Sequence, residues 1–86
     1  MRMGDRKNTL IKLRRVFREV FDDGQLSISE STLRPDIEDW DSIAHIKLVL
    51  TTEEVFDIKF TTDEVTSIKS VGQFIDTIQR HAAGAR

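Results

Sequence analysis

The chain has 86 residues, 13 of them Lys or Arg and 15 Asp or Glu, giving a net charge of −2 at pH 7, and it contains no cysteine. A chain of this length supports one small core that buries about 60–65% of the unfolded surface. Near-neutral charge argues against a general nucleic-acid binder, and the lack of cysteine excludes a disulfide framework or a thiolate metal site.

No apolar run approaches the roughly 20 residues of a membrane span. The start Met-Arg-Met-Gly-Asp lacks the apolar stretch of a secretory signal. The expectation is one cytoplasmic domain over residues 1–86, with 1–8 and 82–86 as loose tails. Charge is unevenly spread: residues 1–20 hold seven basic and two acidic side chains, whereas 22–41 hold seven acids and one Arg.

From about Thr9, the positions Leu10, Leu13, Phe17, Val20 and Phe21 recur at three- and four-residue spacing, which predicts a helix with one buried stripe. Lys12, Arg14, Arg15 and Arg18 fall mostly off that stripe, as a solvated face or a basic patch. Gly24, after Asp22-Asp23, suits a left-handed helix end. Residues 25–41 then form a long connection, with Leu26, Ile28, Leu33 and Ile37 as scattered apolar anchors. Pro35 disfavours regular helix at Arg34. A connection of this length in a compact chain is more often functional than idle.

A second helix is expected over Ser42–Phe56. Asp41 has the short carboxylate of an N-cap, which places Ser42 at the first helical position, beside the positive end of the helix dipole. A phosphate attached there would be favoured by that dipole and by the unpaired N–H groups of the first turn. This helix carries two apolar rows. Leu48, Val49, Thr52, Val55 and Phe56 are expected in the core. Ile43, Ile46 and Leu50 form a second row, covered either by the next helix or by a partner.

Thr61-x-x-Glu64 and Ser70-x-x-Gln73 are capping-box patterns that open two further helices. The first is short, with Val65 and Ile68 facing in, and the second buries Val71, Phe74, Ile75 and Ile78. Periodicity and caps together give an all-α fold, a small four-helix bundle with a long loop between helices 1 and 2 and a short third helix.

Ser42 and His45 lie one turn apart, but no Gly-x-Ser-x-Gly elbow or third triad member accompanies them. His45 is expected on the helix surface, and His81 as a last-turn cation near a helix C-terminus. Trp40 is expected to pack its ring on the bundle end with its N–H toward water. Two distant histidines recommend no metal site. No catalytic residue is assigned.

Asp41-Ser42-Ile43, an apolar helix ending Glu53-Glu54-Val55-Phe56, and then Ile58-Lys59-Phe60 resemble the acyl carrier protein family over about Leu33 to Ile78. Its signature is Asp-Ser-Leu followed by a helix closing on an acidic pair and a Phe. The resemblance implies a non-enzymatic carrier in which Ser42 bears 4'-phosphopantetheine, placed there by a phosphopantetheinyl transferase. It further implies loading by an acyl or aminoacyl ligase and service to downstream transferases or synthases, with the chain acting as a monomer. Asp36, Glu38, Asp39, Asp41, Glu53 and Glu54 would steer basic partners, around a contact made by Ile43, Ile46, Lys47 and Leu50.

Fatty-acid-synthesis carriers are acidic just after the serine and near the middle of the helix, where this chain has Ala44 and Lys47. The expectation is therefore a specialised fatty-acid, polyketide or modified-lipid carrier. An aminoacyl or peptidyl carrier is the alternative, although Trp40-Asp41 lacks the glycines usual before the serine of peptidyl carriers. A third reading is a non-covalent helical adaptor in which Ser42 only caps.

Overall fold

The computed structural model describes residues 3–84, with side chains over 5–82. Helix α1 spans Met3–Val20, α2 Ser42–Phe56, α3 Thr62–Ser67 and α4 Val71–Gly84, and a single 3-10 turn covers Arg34–Asp36 in the long connection. The architecture is the four-helix arrangement expected from the sequence. Its core is built from Leu13, Val16 and Phe17 of α1, Leu48 and Val49 of α2, and Val71, Phe74, Ile75 and Ile78 of α4. Ile28, Trp40 and Ile68 close it from the connections.

Helix α1 begins at Met3, so residues 5–8 are helical and not a loose tail. They carry no apolar repeat; polar contacts to distant parts of the chain hold them. The Arg6 guanidinium pairs with Glu30, and with Asp76 at 2.7 Å. One turn on, the Thr9 hydroxyl accepts from Gln79 Nε2 at 2.8 Å. At the other end α4 runs through Ala82 to Gly84. Residues 1–2 and 85–86, the outer parts of the expected tails, lie outside the described residues.

The left-handed residue that ends α1 is Asp22 (φ 51°), and Gly24 has no positive φ. Asp23 N–H bonds back to Arg18 O and Asp22 N–H to Glu19 O, the paired pattern that satisfies the last carbonyls of a helix. Asp57 (φ 55°) ends α2 in the same conformation. A short side chain that can bond locally tolerates this region, so Asp stands where Gly was expected. Arg18, read as surface charge, donates from Nε to Leu26 O at 2.7 Å and ties the first loop to α1.

The long connection is fastened more by backbone than by its apolar anchors. Arg34 N–H bonds to Lys69 O, Val71 N–H to Thr32 O and Gly72 N–H to Glu30 O, each at 2.9 Å, stitching the loop to the start of α4. A Cβ on Gly72 would meet Glu30 O at 2.8 Å, so this close approach requires glycine. Among the predicted anchors Ile28 is buried, Leu26 and Ile37 pack partly on the core, and Leu33 is exposed.

Both capping sequences function as helix starts, in different ways. Thr61 and Glu64 exchange bonds reciprocally, and His81 Nε2 meets the same Glu64 carboxylate at 2.8 Å, joining α3 to α4. The Thr61 backbone N–H, followed by His81, holds the Glu64 carboxyl below its ordinary pKa. Gln73 N–H donates to Ser70 Oγ, but the Gln73 side chain reaches one residue further back, to Lys69 N–H.

Within α2, Leu48, Val49 and Thr52 are buried as predicted, Phe56 is half-buried, and Val55 is exposed. Val55 is thus not a core residue. Thr52 is fully buried, and its hydroxyl has no hydrogen-bond partner. An unsatisfied buried hydroxyl costs about 1–3 kcal/mol. Thr52→Val keeps the shape and removes the orphan group, so it should raise unfolding stability by about 1 kcal/mol. A urea melt with a lower midpoint than wild type would contradict that.

Candidate functional site

The N-terminus of α2 carries a side-chain cap and an exposed serine. Asp41 (φ −94°, ψ −171°) is the N-cap, and its Oδ1 accepts from Ala44 N–H at 2.8 Å. Such a cap contributes about 1 kcal/mol. Ser42 is the first helical residue and is exposed. None of the hydrogen bonds among the described residues engages its Oγ. The cap is therefore Asp41, and the Ser42 hydroxyl is free at a helix tip where the first-turn N–H groups of Ser42 and Ile43 have no intrahelical acceptor. An anion joined to that oxygen meets the positive end of the helix.

The chain reaches this tip over a buried aromatic support. Trp40 is only 4% exposed. Its ring meets Phe17 edge-on at 5.1 Å and lies nearly parallel to the His45 ring at 6.0 Å. The indole N–H does not point to water; it donates to His45 Nδ1 at 2.9 Å. His45 is accordingly not a surface residue. It is 5% exposed, and its other nitrogen, Nε2, lies 2.8 Å from Val65 O in α3.

An indole N–H can only donate, so Nδ1 must be the unprotonated nitrogen, and Nε2 carries the hydrogen that Val65 O accepts. Both nitrogens are committed, which leaves none to take a proton from Ser42. The Ser42–His45 pair is therefore not a nucleophile and its base.

Burial pushes the His45 pKa below its ordinary value of 6.5, the Val65 carbonyl opposes that shift, and the Arg34 charge adds to it. A depressed folded pKa means that the unfolded chain binds the proton more tightly. The imidazole's contribution is then complete above pH 6.5 and is lost as pH falls through that value toward the folded one. His45 alone should produce an acid-side slope of up to about 1.4 kcal/mol per pH unit. Urea midpoints measured from pH 7.5 to 5 should fall for wild type, and less steeply for His45→Gln. Parallel profiles would show that His45 is not the titrating group.

The second apolar row is open to solvent. Ile43 is 69% exposed, Ile46 51% and Leu50 58%. Helix α3 does not cover it; α3 meets the other face of α2, where Val65 O lies 2.8 Å from His45 Nε2. Lys47 is exposed within the same face.

The acids do not form one cluster. Asp36, Glu38, Asp39 and Asp41 are exposed ahead of α2, with Asp36 Oδ2 also accepting from Leu33 N–H. Glu53 and Glu54 lie eleven and twelve residues after Ser42, about 17–18 Å along the helix. Glu54 is exposed, but Glu53 Oε2 accepts from Phe60 N–H at 2.8 Å and so fixes the turn after α2. Acidic groups thus flank the apolar row at both ends.

The residue that sequence reasoning missed here is His45. Positions 45, 48, 49 and 52 share one helical face, so the spacing placed it inside; its polarity was what made it look external.

Neither a protein-family model nor a curated protein sequence matches the chain. Solved structures do match, two acyl carrier proteins among them. The solution structure of a holo acyl carrier protein from Geobacter metallireducens shares 35% identity over 90% of this chain and 88% of that one, with a TM-score of 0.82. The crystal structure of an acyl carrier protein from Thermotoga maritima covers the whole of both chains with a TM-score of 0.86, and at 21% identity it speaks for the fold alone.

Proposed function

The chain belongs to the acyl carrier protein family, and from that premise we propose that it carries acyl groups as thioesters on a 4'-phosphopantetheine arm joined to Ser42 Oγ. The observation that carries this reading is the free, exposed hydroxyl of Ser42 on a helix tip whose cap is supplied by Asp41. The residues present fit the group. Ser42 would offer the oxygen for the ester link, and the Ser42 and Ile43 N–H groups, which have no intrahelical acceptor, would favour the negative charge of the phosphate.

When bound, the arm supplies a thiol on a flexible tether, which raises the effective concentration of cargo at a docked enzyme. The protein's own residues do the presenting. Trp40 and His45 support the helix tip, Asp41 fixes the first turn, and the hydroxyl stands clear for a phosphopantetheinyl transferase. Ile43, Ile46 and Leu50 provide a small apolar contact for partner enzymes, with Lys47 beside it. Asp36, Glu38, Asp39 and Glu54 steer basic surfaces toward that contact, giving fast and salt-sensitive association. Glu53 has a smaller share, since Phe60 N–H already uses its carboxylate. Ala44 and Lys47, standing where acids are usual in fatty-acid-synthesis carriers, favour a specialised acyl, polyketide or modified-lipid pathway, acting in the cytoplasm.

The absence of cysteine makes a direct test available. Wild type treated with coenzyme A and a broad-specificity phosphopantetheinyl transferase should go from no titratable thiol to one per chain. A preparation that stays thiol-free would overturn the carrier reading.

A further inference from the structure

A groove of about 410 Å³ lies beside the proposed attachment point, between the long connection and α3. Pro35 and Ile37, with an edge of the buried Trp40, give it apolar surface, and Arg34 and Lys69 line it together with one carboxylate, Glu38. Trp40 is two residues from Ser42, at most about 7 Å of extended chain. The charge here runs against its surroundings. Arg34 is the lone base among residues 22–41, which hold seven acids.

Arg34 is also held in place, because its Nε donates to Trp40 O at 3.2 Å and its two terminal nitrogens remain available. Among the described residues neither Arg34 nor Lys69 forms an ion pair. A planar guanidinium fork with a second cation nearby matches a carboxylate, and the apolar surface matches a short methylene chain.

We propose that this groove receives the distal end of an acyl cargo that ends in a carboxylate, so that the protein is suited to dicarboxylic half-thioesters. The inference rests on the carrier reading. Free anions are held off by Asp36, Glu38, Asp39 and Asp41, but a tethered one arrives at high effective concentration. A long, purely apolar chain gains little here, because the groove is open and two cations would face it unpaired.

The test loads isotope-labelled protein at Ser42 with adipoyl- or hexanoyl-phosphopantetheine, transferred from the corresponding coenzyme A thioesters. These cargoes are equal in length and differ in a terminal carboxylate or methyl. Intact mass verifies loading before spectra are taken. The adipoyl form should shift the Arg34 Nε–H and the backbone amides of Glu38 and Lys69 relative to the unacylated holo form, and the hexanoyl form should not. Lys69→Gln, at an exposed side chain, should weaken the adipoyl shifts, and Arg34→Gln with Lys69→Gln should abolish them.

Coincident adipoyl and hexanoyl spectra on loaded protein would overturn this inference and leave the carrier reading standing. So would shifts that survive Lys69→Gln undiminished, a variant that needs no repacking. A mass without the added arm overturns both.

Discussion

Truncating Trp40 to alanine should cost about 3–5 kcal/mol of unfolding free energy. Small domains have about 5–15 kcal/mol in total, so this one substitution removes a large share. Three losses coincide. The largest ring in the core disappears from its edge-on contact with Phe17, a cavity opens beneath the loop, and His45 Nδ1 is left buried without its donor. Trp40→Phe separates these effects. It keeps most of the apolar bulk and still orphans Nδ1, for an expected cost of about 1–3 kcal/mol. Urea melts followed by circular dichroism measure both variants. A cost below about 1 kcal/mol for Trp40→Ala would mean that the indole is not the support under the α2 tip.

Ser42→Ala should have the opposite profile, with complete loss of loading and almost no change in stability. The side chain is exposed, no hydrogen bond of the described residues uses its oxygen, and the helix cap belongs to Asp41. Exposed substitutions away from caps and cores usually stay within about 0.5 kcal/mol. The variant should therefore melt with wild type while gaining no mass from coenzyme A and a transferase. Loading that persisted in Ser42→Ala would place the attachment elsewhere. A large drop in stability would show that the hydroxyl has a structural task.

These two neighbours divide the work at the helix tip, Trp40 holding it and Ser42 presenting it. The division explains which parts of the structure were readable in advance. The bounds of α2 and its cap could be read because a capping residue, an apolar repeat and an acidic C-terminal pair all lie within one short stretch. The inward face of α4 was equally plain, since Val71, Phe74, Ile75 and Ile78 follow one helical stripe.

What escaped depends on partners distant in sequence. Nothing in residues 5–8 announces a helix, because Arg6 finds Glu30 and Asp76 only after the chain has folded. His45 looked like a surface group, and the Trp40 N–H was expected to face water, because each carries a polar atom. Buried together, they satisfy each other. The fate of Ile43, Ile46 and Leu50 was open for the same reason: whether α3 covers them depends on which side of α2 it packs, and α3 meets the face that carries His45. Asp22 took the left-handed position ahead of Gly24 because the paired bonds to Arg18 O and Glu19 O close there, a register that composition alone does not set.

The most direct measurement is the intact mass of wild-type protein after incubation with coenzyme A and a transferase, followed by fragmentation of the peptide that contains Ser42. One phosphopantetheine per chain, carried on that serine, is the predicted outcome. An unchanged mass, or a modification mapped to another residue, would contradict it.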